Sequence, residues 1–259
     1  MGPGRVTRVV AVAANTFRET VRERVLYNLV FFAVLMTLSG LLLGELSLHQ
    51  DDKIIKNTGL AAMDVFGTLI AIFIGVGLVS KEIERRSLYP LLAKPLGREE
   101  FLLGKFVGLA FTLLVNVSVM TVGLYATLAA TGHGIDASLL KAIYPIFLGL
   151  ILTVALALLF STMTSSTLAA VFTVCAVTAG RFSDVVRNMR EVTEVIPEWL
   201  VKVVYLIIPN FLNFDLKDRV IYGDPVGGRL LAHVSVYAAS YVFVILGIAM
   251  LRFRSRDLT

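Results

Sequence analysis

Few residues of this 259-residue chain have the types and spacing that chemistry requires. Gly97 and Gly104-Lys105 have the makings of a phosphate-binding loop, which would hold a nucleotide. Six residues separate the two glycines where four are needed, and Phe106 replaces the serine or threonine that would hold magnesium. That match is dismissed. A metal-dependent hydrolase needs clustered histidines such as HExxH. His49, His133 and His233 stand far apart in sequence, each near a predicted outer membrane boundary. No serine lies in a G-x-S-x-G elbow. The hydroxyl-rich run Ser161, Thr162, Thr164, Ser165, Ser166 and Thr167 reads as a tight turn that caps two helices. Two carboxylates, Glu45 and Asp64, fall toward the outer ends of apolar runs. Asp64 is either a residue of an outer gate or a hydrated helix end.

The elements that hold these residues are set by composition. The chain is 57% hydrophobic and 17% charged, with a mean hydropathy of +0.81. That excludes an ordinary soluble domain. About 20 apolar residues at 1.5 Å each cross the ~30 Å hydrocarbon core. Spans are expected at about 27–46, 60–80, 104–129, 141–161, 166–182 and 229–251. The fifth is the weakest, being short and ending at Arg181. The runs lack two-residue alternation, so helices are the expected spanning form. Ahead of them, Val6, Val10, Ala13, Phe17 and Val21 recur at helical spacing opposite Arg8, Asn15, Arg18 and Arg22. This reads as an amphipathic helix in the membrane interface. The stretch VVAVAAN is too short for a signal-peptide core. Cys175 is the single cysteine, so no disulfide framework within the chain is possible.

Orientation follows from basic residues. With the N-terminus inside, the inner segments carry 14 of the 24 lysines and arginines, and seven of the outer ones sit in the long segment 181–229. The short loops decide, and they place the N-terminus inside. The net charge of +5 is then a basic cytoplasmic edge, with no nucleic-acid partner expected. Within the outer segment, 195–210 is too short and too charged for a seventh span, and Trp199 and Tyr205 suit the interface.

The densest polar stretch is KEIERRSLYPLLAKPLGREEFLLGK, residues 81–105, on the inner side. Lys81, Glu82, Glu84, Arg85 and Arg86 prolong the second span past the membrane surface. Ser87 is a good N-cap, Pro90 is tolerated in a first turn, and Leu88, Leu91 and Leu92 share one side of the short helix that follows. Pro95 ends that helix. Gly97 can cap the next, with Glu99 and Glu100 in its first turn, where the helix dipole favours anions. A solvated loop would account for the charges but not for a capped leucine helix.

These residues resemble the coupling region of type-2 ABC transporter permeases. The likeness lies in Glu82-x-Glu84, a polar capping residue, Leu-Leu-Ala-Lys-Pro, Arg98 and Leu-Leu-Gly-Lys, and it extends over nearly the whole chain. Arg86-Ser87 departs from the glycine-threonine usual before the helix. The segment 208–223 is also similar to permeases associated with multicopper enzyme maturation, which assigns no substrate. The resemblance implies an all-α polytopic fold as one transmembrane domain, 1–259, with six transmembrane helices. It has an interfacial elbow helix at 1–26, a cytoplasmic coupling region at 81–104 and an outer helical segment at 183–228. It implies a subunit of an ATP-driven exporter in a bacterial or archaeal inner membrane, both termini cytoplasmic. The chain itself would bind no cofactor. ATP and magnesium would be used by a cytoplasmic ATPase subunit present in two copies, paired with two permease chains. Contact with that ATPase would fall to Glu82, Glu84, Arg85, Arg86, Ser87, Leu88, Leu91, Leu92, Lys94 and Arg98, with Gly104-Lys105 starting the third span. The alternatives are a non-enzymatic membrane scaffold and a secondary transporter without an ATPase.

Overall fold

The computed structural model describes residues 5–22, 51–84, 97–132, 134, 136–183 and 208–254. All the regular structure in these residues is helical. Helix α1 is Arg5–Arg22, α2 is Asp51–Glu84, α3 is Arg98–Ala130, α4 is Leu140–Met163, α5 is Ser166–Arg181, α6 is Lys217–Ile221 and α7 is Gly228–Arg254. Four of them (α2, α3, α4 and α7) are long and apolar enough to cross a membrane. The chain is thus an all-α polytopic membrane protein. Four expected spans match these helices, although α2 begins nine residues earlier than expected. The first expected span, 27–46, and the interfacial stretch 195–207 lie outside the described residues. The fifth expected span is α5, whose 16 residues rise only about 24 Å.

Helix α4 is the centre of the bundle. It is apolar all round, which suits an element with no solvent face, and α2, α3, α5 and α7 all pack on it. Leu152, Val154, Ala155, Ala157 and Leu158 are fully or almost fully buried. Helices in lipid gain nothing from hiding oil from oil, so close contact depends on small residues. Gly67 and Gly75 of α2 supply it: a Cβ on them would come within 2.7 Å of Leu150 and of Ala157, respectively.

The same device joins α1 to α3. A Cβ at Gly104 would lie 2.6 Å from that of Val12, and one at Gly108 would lie 2.6 Å from the carbonyl oxygen of Ala13. The expected apolar stripe of α1 divides: Phe17 packs on Phe111 of α3, ring centroids 4.9 Å apart, while the first two valines stay open. Val6 and Val10 are 76% and 59% exposed, whereas Thr16 and Thr20 are completely buried. Their hydroxyls donate to the Val12 and Thr16 carbonyls at 2.9 and 2.8 Å, so only methyl groups face α3. Thr112 of α3 does likewise toward Gly108 at 3.0 Å. Val6 and Val10 border a groove with Gly97, Glu99 and Leu103 at the start of α3.

The expected tight turn stands between α4 and α5. Its hydroxyls close the α4 C-terminus: Ser161 donates to Ala157, Thr162 to Leu159 and Thr164 to Phe160, at 2.7, 2.7 and 3.0 Å. Ser165 occupies the N-cap position of α5 but makes no side-chain cap bond. On the other side, α3 ends with Gly132 at φ +79°, a left-handed position that glycine takes without strain.

Gly108→Ala is expected to cost about 1–3 kcal/mol, because the Ala13 backbone cannot yield to the new methyl group. Gly77, beside which a Cβ would meet nothing, should accept alanine with a change within about 0.5 kcal/mol. Thermal unfolding of the two purified variants against the unsubstituted chain checks the contrast.

Candidate functional site

Charge gathers at the end of the bundle where α3 starts, the inner edge in the orientation expected from the basic residues, and at a cavity toward the opposite, expected outer ends of α2, α4 and α5. At the inner edge, Glu82 and Glu84 lie in the last turn of α2, and Arg98 is the first residue of α3. Arg85, Arg86, Ser87, Leu88, Leu91, Leu92 and Lys94 lie outside the described residues. The start of α3 follows the expected capping. Gly97 is the N-cap, Glu99 and Glu100 fill the first turn, and the Gly97 N–H donates to Glu100 Oε2 at 3.3 Å. Gly104 and Lys105 belong to a continuous helix, which accounts for the failed phosphate-loop spacing.

Charged contacts at this edge join α3 to α1. Glu100 pairs with Arg5 at 3.5 Å and with Arg8 at 3.3 Å. One turn further on, the Lys105 side chain is only 2% exposed; its Nζ lies 3.9 Å from Glu19 Oε2 and 5.6 Å from the centre of the Phe101 ring. The Phe101 ring in turn stacks on Phe253 near the end of α7, centroids 6.3 Å apart. Arg8, which the helical pattern of α1 assigned to a headgroup-facing side, is thus engaged with a protein carboxylate. So is Lys105, read from sequence only as the start of a span. The signal available was the recurrence of opposite charges on α1 and the α3 start, but nothing in the sequence says that the two helices touch.

In the outer region, Asp64 stands within α2 with its carboxylate paired. It is not a free helix end. The guanidinium of Arg181 grips its carboxylate with two bonds, Nη1 to Oδ2 at 2.6 Å and Nη2 to Oδ1 at 2.9 Å. Nη2 also donates to Thr68 Oγ1 at 3.1 Å. This fork geometry is the strong form of an ion pair. Asp64, Thr68 and Arg181 line a cavity of about 130 Å³ with Ile146 and Gly149 of α4. Its remaining wall comes from residues 211–217, where Phe211, Leu212 and Phe214 cover it. That segment is fixed by Asn210, whose N–H donates to Tyr237 Oη at 2.8 Å, and by the contact of Gly180 with Pro209 and Phe211. Asp215 and Lys217, also in the lining, pair at 3.0 Å. Nothing in the sequence singles out Arg181, which there marks only the stop of a span.

Beyond the cavity, a second tie joins the outer ends of α2 and α3 to the loop before α4. Lys56 Nζ lies 3.3 Å from Asp136 and 3.5 Å from Asp52, and Tyr125 Oη donates to the Asp136 carbonyl at 2.9 Å. The Asp136 carboxyl is held below the usual carboxylate range by hydrogen bonds from the Ser138 hydroxyl and N–H, and then by Lys56.

A family model described as ABC-2 family transporter protein matches residues 10–258, and the chain belongs to that family. A comparison with curated proteins gives no match. Membership makes the chain the transmembrane subunit of an ABC transporter and a multi-pass membrane protein. Permeases of this family generally work with a cytoplasmic ATPase and form dimers.

The lowered Asp136 value fixes the sign of a pH effect. Folding favours its charged form, so the contribution to stability is complete above about pH 4 and is lost as pH falls through the lowered value. The pair is partly exposed, and screening keeps the effect small. Asp136→Asn should lower the unfolding midpoint by roughly 1–3 °C at about pH 7 and by less at about pH 3. Equal shifts at both pH values would assign the tie to geometry alone.

Proposed function

We propose that this chain is the permease half of an ATP-driven exporter, and that it takes its mechanical work from a separate ATPase through residues 87–94. In this reading Ser87 to Lys94 form a coupling helix, Leu88, Leu91 and Leu92 enter a cleft on the ATPase, and Glu82, Glu84, Arg85, Arg86 and Arg98 flank it. Two permease chains and two ATPase subunits make the transporter. The setting is a bacterial or archaeal cytoplasmic membrane with both termini inside. ATP and magnesium belong to the ATPase.

The observation that carries the reading is the bracing of α3 at the point where the coupling region delivers it. The first turn of α3 is pinned to α1 by Glu100 with Arg5 and Arg8, then by Lys105 with Glu19, and between them by the Gly104 and Gly108 contacts. A push on the segment just before Gly97 therefore moves two helices as one body. Such rigid-body transfer is what an external motor requires. The ATPase must also grip one arrangement of the helices better than the other, since only differential contact shifts an equilibrium. Asp64 stands toward the outer end of the bundle, where an exit gate would lie. The apolar spans suit an amphipathic or lipid-like cargo.

Replacing Leu91 and Leu92 together by aspartate should remove the ATPase from the purified complex. Loss of a buried anchor at an interface costs about 2 kcal/mol or more, so the pair should weaken association by at least ~100-fold. The variant should still insert and should unfold at the same temperature in detergent. A complex that keeps its full ATPase complement would end the coupling assignment.

A further inference from the structure

The outer cavity contains a charged pair that the coupling scheme leaves unused. Asp64 on α2 and Arg181 on α5 are both sixteen residues from the inner end of the span, counted from Ser80, the boundary expected from sequence, and from Ser165, the N-cap of α5. At 1.5 Å per residue each sits about 24 Å up, inside a hydrocarbon core of ~30 Å. Ionised groups at such depth are costly, and they occur paired or beside a water-filled path. The first condition holds here, and there is room for the second. The pair is made by two parallel bonds, and Thr68 steadies the guanidinium. The cavity of about 130 Å³ beside it has room for several water molecules.

We infer that the Asp64–Arg181 pair is the latch of the outer exit. While it is made, the outer end of α5 is held against α2 beneath the cover formed by residues 211–217. When it breaks, α5 separates from α2 and the cavity opens outward. A fork-shaped ion pair suits this task because it tolerates little displacement and so is either made or broken. Water in the cavity hydrates both charges in the broken state, which keeps that state accessible. α5 is the natural moving part. It is the shortest of the bundle helices, and the tight turn at Thr164–Ser165 ties its inner end directly to α4. This inference rests on the transport reading, because a latch has meaning only where a path opens.

The test is the rate at which a cysteine in the cavity reacts with a membrane-impermeant maleimide added to the side that carries Asp136. Ile146 is buried and lines the cavity, so Ile146→Cys is the reporter, in the full chain in membranes with Cys175→Ser removing the exposed native thiol. Without ATP the reporter should react slowly. Adding Arg181→Gln should raise the rate about tenfold, and the exchange Asp64→Arg with Arg181→Asp should bring it back down. Thr68→Val, which keeps both charges, should raise it about threefold. The exposed control Asp224→Cys should react at one rate in every background. A reporter rate unchanged by Arg181→Gln, or left high by the charge exchange, overturns the latch. Should Arg181→Gln fail to insert, an unchanged rate in Thr68→Val overturns it as well. The transport reading fails by a different result, the absence of any ATPase bound to the unsubstituted chain.

Discussion

Contact between helices across missing side chains is the constraint on which the rest of this structure depends. In lipid there is no hydrophobic reward for bringing two apolar helices together, so association must come from close packing and from polar ties. Gly67 and Gly75 let α2 lie on α4, and Gly104 and Gly108 let α1 lie on α3. Where threonine replaces glycine at these contacts, its hydroxyl turns back to its own helix, as at Thr16, Thr20 and Thr112. The polar atom is then satisfied within the helix and only a methyl group is presented to the neighbour.

Charge does the remaining work, and it does so at the ends. The Glu100 and Lys105 pairs brace the inner edge, and the Lys56 pairs brace the outer edge. Among the described residues, only Asp64 and Arg181 meet further in, with each neutralising the other. Asn116 is the exception among the deep polar groups. It is buried, its Nδ2 donates to Thr112 at 3.4 Å, and its Oδ1 has no partner among the described residues.

The architecture was largely legible in the sequence because the bilayer imposes a length. Apolar runs near 20 residues gave the helices of α2, α3, α4 and α7 to within a few residues at most ends. The Gly97 cap with Glu99 and Glu100 was legible as well, since capping is a local matter of types and spacing. The exception is the start of α2, where the polar run Asp51 to Thr58 looks like loop but continues the helix; Lys56 is held there by Asp136, 80 residues further on. The pairing of Asp64 with Arg181 was not legible for the same reason, 117 residues separating the two. In the sequence Asp64 reads as an outer gate or a hydrated helix end, and Arg181 only as the stop of a span. Their common depth, read from helix rise, was the one available clue. The contact of α1 with α3 was not legible either, because small and hydroxylated residues make much of it and no pattern in α1 names its partner helix.

Helix α2 runs for 34 residues, about 51 Å, well beyond the thickness of the bilayer's oil. It is a single rod, supported midway where Gly67 and Gly75 rest on α4. A rod on a midpoint support works as a seesaw. Whatever tips Glu84 to one side on the inner face carries Asp52 and Lys56 the opposite way on the outer face, with no change in the shape of the helix.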